Sequence, residues 1–207
     1  MLALFQKGGP VMWPLLVTSL VAMSVIIERI LFTARTRLRR RPSEVGQMFA
    51  SIERGDIEEA ARRGIGSGDF VARTLGRALG HRDVSFTNGL LQAAGDELQR
   101  FNRGIAILDT VITLAPLLGL FGTVTGMIHA FGLLGSGELG APTQITGGIA
   151  EALIATAFGL LIAMTALLPF NYLNARLEQA RQEIENAAAC LELLLLKAGK
   201  QDGESER

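Results

Sequence analysis

The sequence predicts an all-α membrane protein with three transmembrane helices, the second and third prolonged into long helices on the cytoplasmic side. Residues 11–27, 110–128 and 152–170 contain no Asp, Glu, Lys or Arg, and each run is about long enough to cross a hydrocarbon core of roughly 30 Å. Arginines gather beside these runs on one side only. Apolar residues then recur at steps of three and four well past the second and third runs, the spacing of a helical packing seam. A soluble protein with buried core helices is the competing reading, but three such runs in 207 residues leave too little polar chain to cover them.

Residues 1–10 are expected to form an extracytoplasmic amino end, broken by Gly8, Gly9 and Pro10. The first span is expected over 11–32. Trp13, the only Trp, falls at interfacial depth, and Pro14 falls in the first turn, where a missing N–H is tolerated. A signal peptide is the alternative for this run; its length, the lack of a basic leader and the arginine cluster that follows predict that it stays attached. Near its end, Glu28 and Arg29 read as an interfacial pair, with the arginine reaching back to the headgroups.

The cluster "RTRLRRR" (35–41) follows directly, most other arginines lie between spans one and two, and Arg176 and Arg181 follow span three. The amino end has only Lys7, and residues 133–147 have no Lys or Arg. By the positive-inside bias the long loop and the tail are cytoplasmic. Residues 33–104 are therefore a cytoplasmic helical region, with short helices punctuated by "RPS", "RGD" and "RRGIGSGD". The second span covers 105–132, an extracytoplasmic loop 133–147, the third span 148–171, and a cytoplasmic helix with a polar tail 172–207. The seams run through Leu91, Ala94, Leu98, Phe101, Ile105 and Leu108, and through Leu173, Leu177, Ala180, Ile184, Ala187, Leu191 and Leu194. Both helices then reach roughly 60 to 80 Å. Stripes of that length need neighbours, which implies identical subunits packed side by side. The last residues, "KQDGESER", are expected to be disordered.

Lys and Arg (20) balance Asp and Glu (20), which leaves no case for a nucleic-acid partner. The arginine cluster is a topology anchor. Cys190 is the single cysteine, so no internal disulfide forms. The loop "GSGELG" (135–140) matches GxGxxG letter for letter, yet no strand precedes it. No Walker motif, metal-ligand spacing or nucleophile with a base is found, so the chain is expected to be no enzyme, with no catalytic residues, metal or cofactor. His81 in "GHRD" reads as a solvated loop residue.

The segment "LAPLLGLFGTVTGM" places Ala115, Gly119, Gly122 and Gly126 on one line, and span three answers with Ala152, Ala155, Thr156, Gly159, Ala163 and Ala166. Small residues at this spacing let helices approach closely in lipid. The expected packing residues are Gly119, Gly122, Gly126, Ala152 and Gly159. Thr123 and Thr156 are left over: they line a water or ion path, or they bond a carbonyl one turn back. Glu151 is a functional carboxylate within the span or one in the first turns of the helix, favoured there by the dipole. Asp109 and His129 read as interfacial.

Taken together, "GGPVMWPLL" with "IIERIL", then "LAPLLGLFGTVTGM", then "GGIAEALIATAFGLLIA" resemble the three spans of the MotA/TolQ/ExbB proton-channel family, the first most like the ExbB branch. The likeness covers all three spans, roughly half the chain. It implies a homo-oligomeric, pentameric ring in the bacterial inner membrane, amino end periplasmic and carboxyl end cytoplasmic. The ring would enclose an ExbD/TolR-like single-span partner and work with a TonB-like protein, using the proton motive force to energise outer-membrane import. By position Thr123 and Thr156 match cavity threonines of the family, and Glu151 its glutamate near the outer mouth; His129 matches nothing. A TolQ-like subunit for envelope maintenance and a scaffold without conduction are the alternatives. A MotA-like role fits less well because that branch has four spans, and a secondary transporter lacks an inverted repeat.

Overall fold

A computed structural model describes the backbone of residues 5, 8–132 and 141–205. Among these residues the fold is all-helical: α1 (Met12–Arg39), α2 (Pro42–Glu53), α3 (Ile57–Ile65), α4 (Phe70–Gly80), α5 (Arg82–Asn102), α6 (Ile105–Gly132) and α7 (Ala141–Ser205). Three stretches, within α1, across α5–α6 and within α7, are long and apolar enough to cross a membrane. The chain divides into two compact units. One comprises Met1–Arg29 and Gly104–Tyr172, and the other Ile30–Arg103 and Leu173–Arg207.

In the first unit the apolar exterior dominates. Only 22–28% of each apolar window is buried, and Trp13, Leu117, Phe121, Leu153 and Leu168 are all more than half exposed. In water this would be untenable, whereas lipid tails or further helices cover such faces without penalty. The buried side is made of small residues. Ala115, Gly119, Gly122, Gly126 and Ala130 of α6 are buried, as are Ala152, Ala155, Gly159, Ala163 and Ala166 of α7. A small cluster of Val11, Met12, Leu15 and Ala115 ties α1 to this seam. Pro116 and Pro169 lie inside helices, so the carbonyls of Ile112 and Thr165 lack the helical N–H they would otherwise receive.

The second unit has a conventional core in which Met48, Ile52, Phe70, Val71, Leu75, Phe101, Ile184 and Leu191 are buried together. Pro42 starts α2, and α3 begins with Glu58 and Glu59 and ends with Arg62 and Arg63, as the helix dipole favours. Asp69 caps α4: one carboxylate oxygen accepts the Val71 N–H (2.9 Å) and the Ala72 N–H (3.3 Å). Its other oxygen accepts the Arg41 N–H at 2.7 Å and pairs with Arg40. Arg40 in turn donates to Glu183 of α7 at 2.8 Å and lies over the Phe70 ring. Burial alone lowers the Arg40 pKa, but the hydrogen bond and charge of Asp69, with those of Glu183, hold it above the ordinary arginine value. Glu97, almost fully buried, takes two bonds of 2.8 Å from Arg73, and this pairing raises the Arg73 pKa against the pull of burial.

Several expectations change here. The extension below span two is present but interrupted: α5 ends at Asn102, and Gly104, at φ +82°, separates it from α6. A Cβ at Gly104 would lie 3.0 Å from Val25 Cγ1, so both backbone conformation and space select glycine. The α5 seam holds at Ala94, Leu98 and Phe101, which pack against the buried core, but Leu91 is 66% exposed while Ala93 and Glu97 are buried, the Arg73 pairing letting a carboxylate occupy an inward position. Arg29 is not reaching outward: it is 3% exposed, bonds Glu28 through Nε at 2.6 Å and packs its stem near Gly104. Helix α7 starts at Ala141, ahead of position 148, with Pro142 in its first turn. It continues to Ser205 where a disordered tail is expected; adding residues to an existing helix costs far less than starting one. The "GSGELG" loop lies outside the described residues.

Candidate functional site

The small-residue seam between α6 and α7 fixes the positions of the hydroxyls and carboxylate that the sequence singles out. Its contacts run antiparallel. A Cβ at Gly159 would sit 2.5 Å from the Ala115 carbonyl oxygen and 3.1 Å from Gly119 Cα. One at Gly119 would sit 3.0 Å from Thr156 Cα and 3.1 Å from the Ala155 oxygen. Further along, a Cβ at Gly122 would meet Ala155 Cβ at 2.6 Å, and one at Gly126 would meet Ala152 Cβ at 2.9 Å. Gly148 continues the ladder, its Cβ position 2.9 Å from that of Ala130. Since real Cβ contacts do not approach this closely, the helices pack backbone against backbone. Gly148 and Ala130 escape a pattern centred on GxxxG; the signal that finds them is their register in the antiparallel pairing, which needs both helices at once.

Within the seam the Thr156 hydroxyl donates to the Gly119 carbonyl oxygen at 2.8 Å, crossing from α7 to α6. Thr123 behaves differently. It is half-buried, and its hydroxyl donates to Leu120 O of its own helix at 2.7 Å. Thr125 bonds Phe121 O (3.0 Å) and Gly122 O (3.2 Å) in the same manner. The two threonines named together from the sequence therefore differ: one fastens two helices and the other is satisfied within one. A hydroxyl that donates its single proton keeps its acceptor lone pairs, so each can still accept a hydrogen bond from water or an acid.

Glu151 lies well inside α7, which begins at Ala141. A place in the first turn therefore does not account for it. Its side chain lies against Gly9, where the backbone has φ +71° and a Cβ would land on the carboxylate. Gly9, read from sequence as a chain breaker, thus makes room for the acid. Asp109 and His129 are both exposed, and no ion pair joins Asp109 to Arg103 among the described residues. Among those residues no cluster of three or more His, Cys, Asp or Glu could hold a metal ion. Exposed His81, at the end of α4, has its Nδ1 3.0 Å from Arg77 O.

The arrangement brings closely packed helices together with the hydroxyls of Thr123, Thr125 and Thr156 and the carboxylate of Glu151. The profile of the MotA/TolQ/ExbB proton channel family matches residues 66–186, and so covers both threonine-bearing spans. An ExbB-like biopolymer transport protein of Synechocystis is 37% identical over 198 residues, 92% of this chain and 77% of that protein. The biopolymer transport protein ExbB of Neisseria gonorrhoeae is 37% identical over 99 residues, 48% of this chain and 45% of its own. The Tol-Pal system protein TolQ of Haemophilus influenzae is 38% identical over 94 residues, 45% of this chain and 41% of its own. With its all-helical fold and three membrane-length helices, this chain belongs to the MotA/TolQ/ExbB proton channel family.

Proposed function

We propose that this chain is the ExbB-like proton-channel subunit of an inner-membrane motor, five copies of which ring an ExbD-like single-span partner and energise TonB-dependent import across the outer membrane. The observation that carries the reading is the family profile lying over residues 66–186, which include Thr123, Glu151 and Thr156. The largely uncovered apolar faces of the spans support a ring, since they need lipid on one side and neighbours on the other. Membrane segments are assigned to 11–32, 105–132 and 148–171, with the amino end periplasmic and the carboxyl end cytoplasmic on the arginine bias.

Within the ring, Gly119, Gly122, Gly126, Ala152 and Gly159 allow dense packing around a cavity, and Thr123 and Thr156 face proton exchange with the partner's carboxyl group. Thr156 is held in one orientation by its bond to Gly119, which points its free lone pairs without fixing a charge that would trap the proton. Glu151 would gather protons at the outer mouth. Similarity along 92% of the chain to an ExbB-like protein favours that branch over TolQ, whose match covers 45%. The scaffold reading draws on the fact that both hydroxyls already have partners within the chain.

The native mass of the detergent-extracted complex, with co-purifying chains identified by peptide mass, tests the assembly. A closed ring of identical subunits holding a small single-span protein with a membrane aspartate is the expected result. A monomer or dimer lacking such a partner in several mild detergents would favour the scaffold. Loss of receptor-dependent uptake on deletion, with an intact envelope, separates the ExbB-like from the TolQ-like role.

A further inference from the structure

The second unit contains a cleft of about 240 Å³ beside the part of α1 that follows its apolar run. Phe32, Arg35, Thr36 and Arg39 form one wall, spaced i, i+3, i+4 and i+7 and so on a single helical face. The floor is aromatic: Phe101 stacks edge-on against both Phe32 (5.4 Å) and Phe70 (5.2 Å). Opposite α1 stand Arg73 and Arg100 with the one carboxylate of the cleft, Glu97. That carboxylate is already committed, taking two bonds from Arg73 and lying 3.4 Å from Arg100. Arg35 and Arg39 are exposed and have no carboxylate within 4.0 Å among the described residues. The cleft thus carries positive charge in excess over an apolar floor.

We infer that this cleft binds the phosphate of an anionic phospholipid from the adjacent leaflet. Guanidinium groups match phosphate oxygens two at a time. At about 240 Å³ the cleft is below the roughly 300 Å³ where pockets begin to take whole drug-sized ligands, which suits a headgroup better than a nucleotide. Phe32 and Arg35 lie about 8 and 12 Å along the helix from the end of the uncharged run, near the headgroup layer. Leu31, half exposed and one turn before Arg35, offers an acyl chain an apolar track on the same helix. The inference rests on α1 crossing the membrane as proposed above, though not on which way it crosses.

The complex, purified in mild detergent from its own membrane, is examined by native mass spectrometry and lipid extraction. Wild type should retain phosphatidylglycerol or cardiolipin at about one per subunit, and R35Q/R39Q should retain ~10-fold less at an unchanged melting temperature. Arg41, in the same basic cluster but outside the cleft and paired with Glu44, supplies the control: R41Q should retain lipid as wild type does. Equal loss in R41Q, or undiminished lipid in R35Q/R39Q, would overturn the site. Displacement of the lipid by inorganic phosphate alone would assign the cleft to a soluble phosphate compound and overturn the lipid source. Labelling of Cys190 reads topology separately, because a reversed orientation would leave lipid retention intact.

Discussion

Replacing Gly159 by alanine isolates what close helix approach contributes. In a helix interior the change alone favours folding by ~1 kcal/mol, since alanine has the higher helix propensity. Here the added methyl would sit 2.5 Å from the Ala115 oxygen and 3.1 Å from Gly119 Cα, both backbone atoms that cannot swing aside. Relief requires the two helices to part, and overpacking of this kind costs ~1–3 kcal/mol. Parting also stretches the Thr156 to Gly119 hydrogen bond of 2.8 Å, a bond worth ~0.6 kcal/mol on average inside a membrane protein. The balance is a net loss of ~0.5–2.5 kcal/mol. Gly95 on α5 is the reference, as a Cβ there meets nothing within 4 Å; G95A should gain ~0.5–1 kcal/mol. Thermal unfolding of the purified complex in one detergent reads both. If G159A were as stabilising as G95A, the backbone contact between α6 and α7 would not exist as described.

Asp69→Ala removes a helix cap, the acceptor for the Arg41 N–H and a partner of Arg40 at once. Arg40 is 24% exposed and keeps Glu183, so the cost is discounted from that of a fully buried pair to ~2–4 kcal/mol; denaturant unfolding with a loss below ~1 kcal/mol would contradict it. Gly104→Ala should lower the melting temperature more than Gly55→Ala. Both positions have positive φ, +82° and +87°, but only at 104 does a Cβ meet a neighbour, Val25 Cγ1 at 3.0 Å. An equal effect of the two substitutions would leave α1 without a part in the break. Cys190 is the single thiol and is exposed, so a membrane-impermeant maleimide should label it in inverted vesicles and not in intact spheroplasts. The opposite pattern would reverse the proposed topology.

The spans were readable because lipid imposes a one-dimensional rule, a long uncharged run, that needs no knowledge of the partner helix. The glycine and alanine line of α6 was readable for a similar reason, since spacing alone puts those residues on one face. What sequence could not supply was pairing between distant segments. Glu97 looks like a surface residue until Arg73, on another helix, is seen to neutralise it, and the seam then shifts away from Leu91. Arg40 joins Asp69 and Glu183, which lie far apart in the chain, and no local pattern announces that. The break at Gly104 did have a signal: a glycine following "RFNR" is an ordinary helix stop, hidden by apolar residues that continue the rhythm on both sides. The division of Thr123 from Thr156 depends on which carbonyl lies nearest, a matter of helix register between α6 and α7.

Proton flux into liposomes containing the complex with its single-span partner, under an imposed gradient, tests the central claim most directly. The account predicts measurable flux in wild type, its loss in Thr156→Val and its recovery in Thr156→Ser, which restores the hydroxyl and with it the bond to Gly119. Equal flux in wild type and in an assembled Thr156→Val complex would remove Thr156 from the path, and an assembled wild-type complex that passes no protons would contradict the account as a whole.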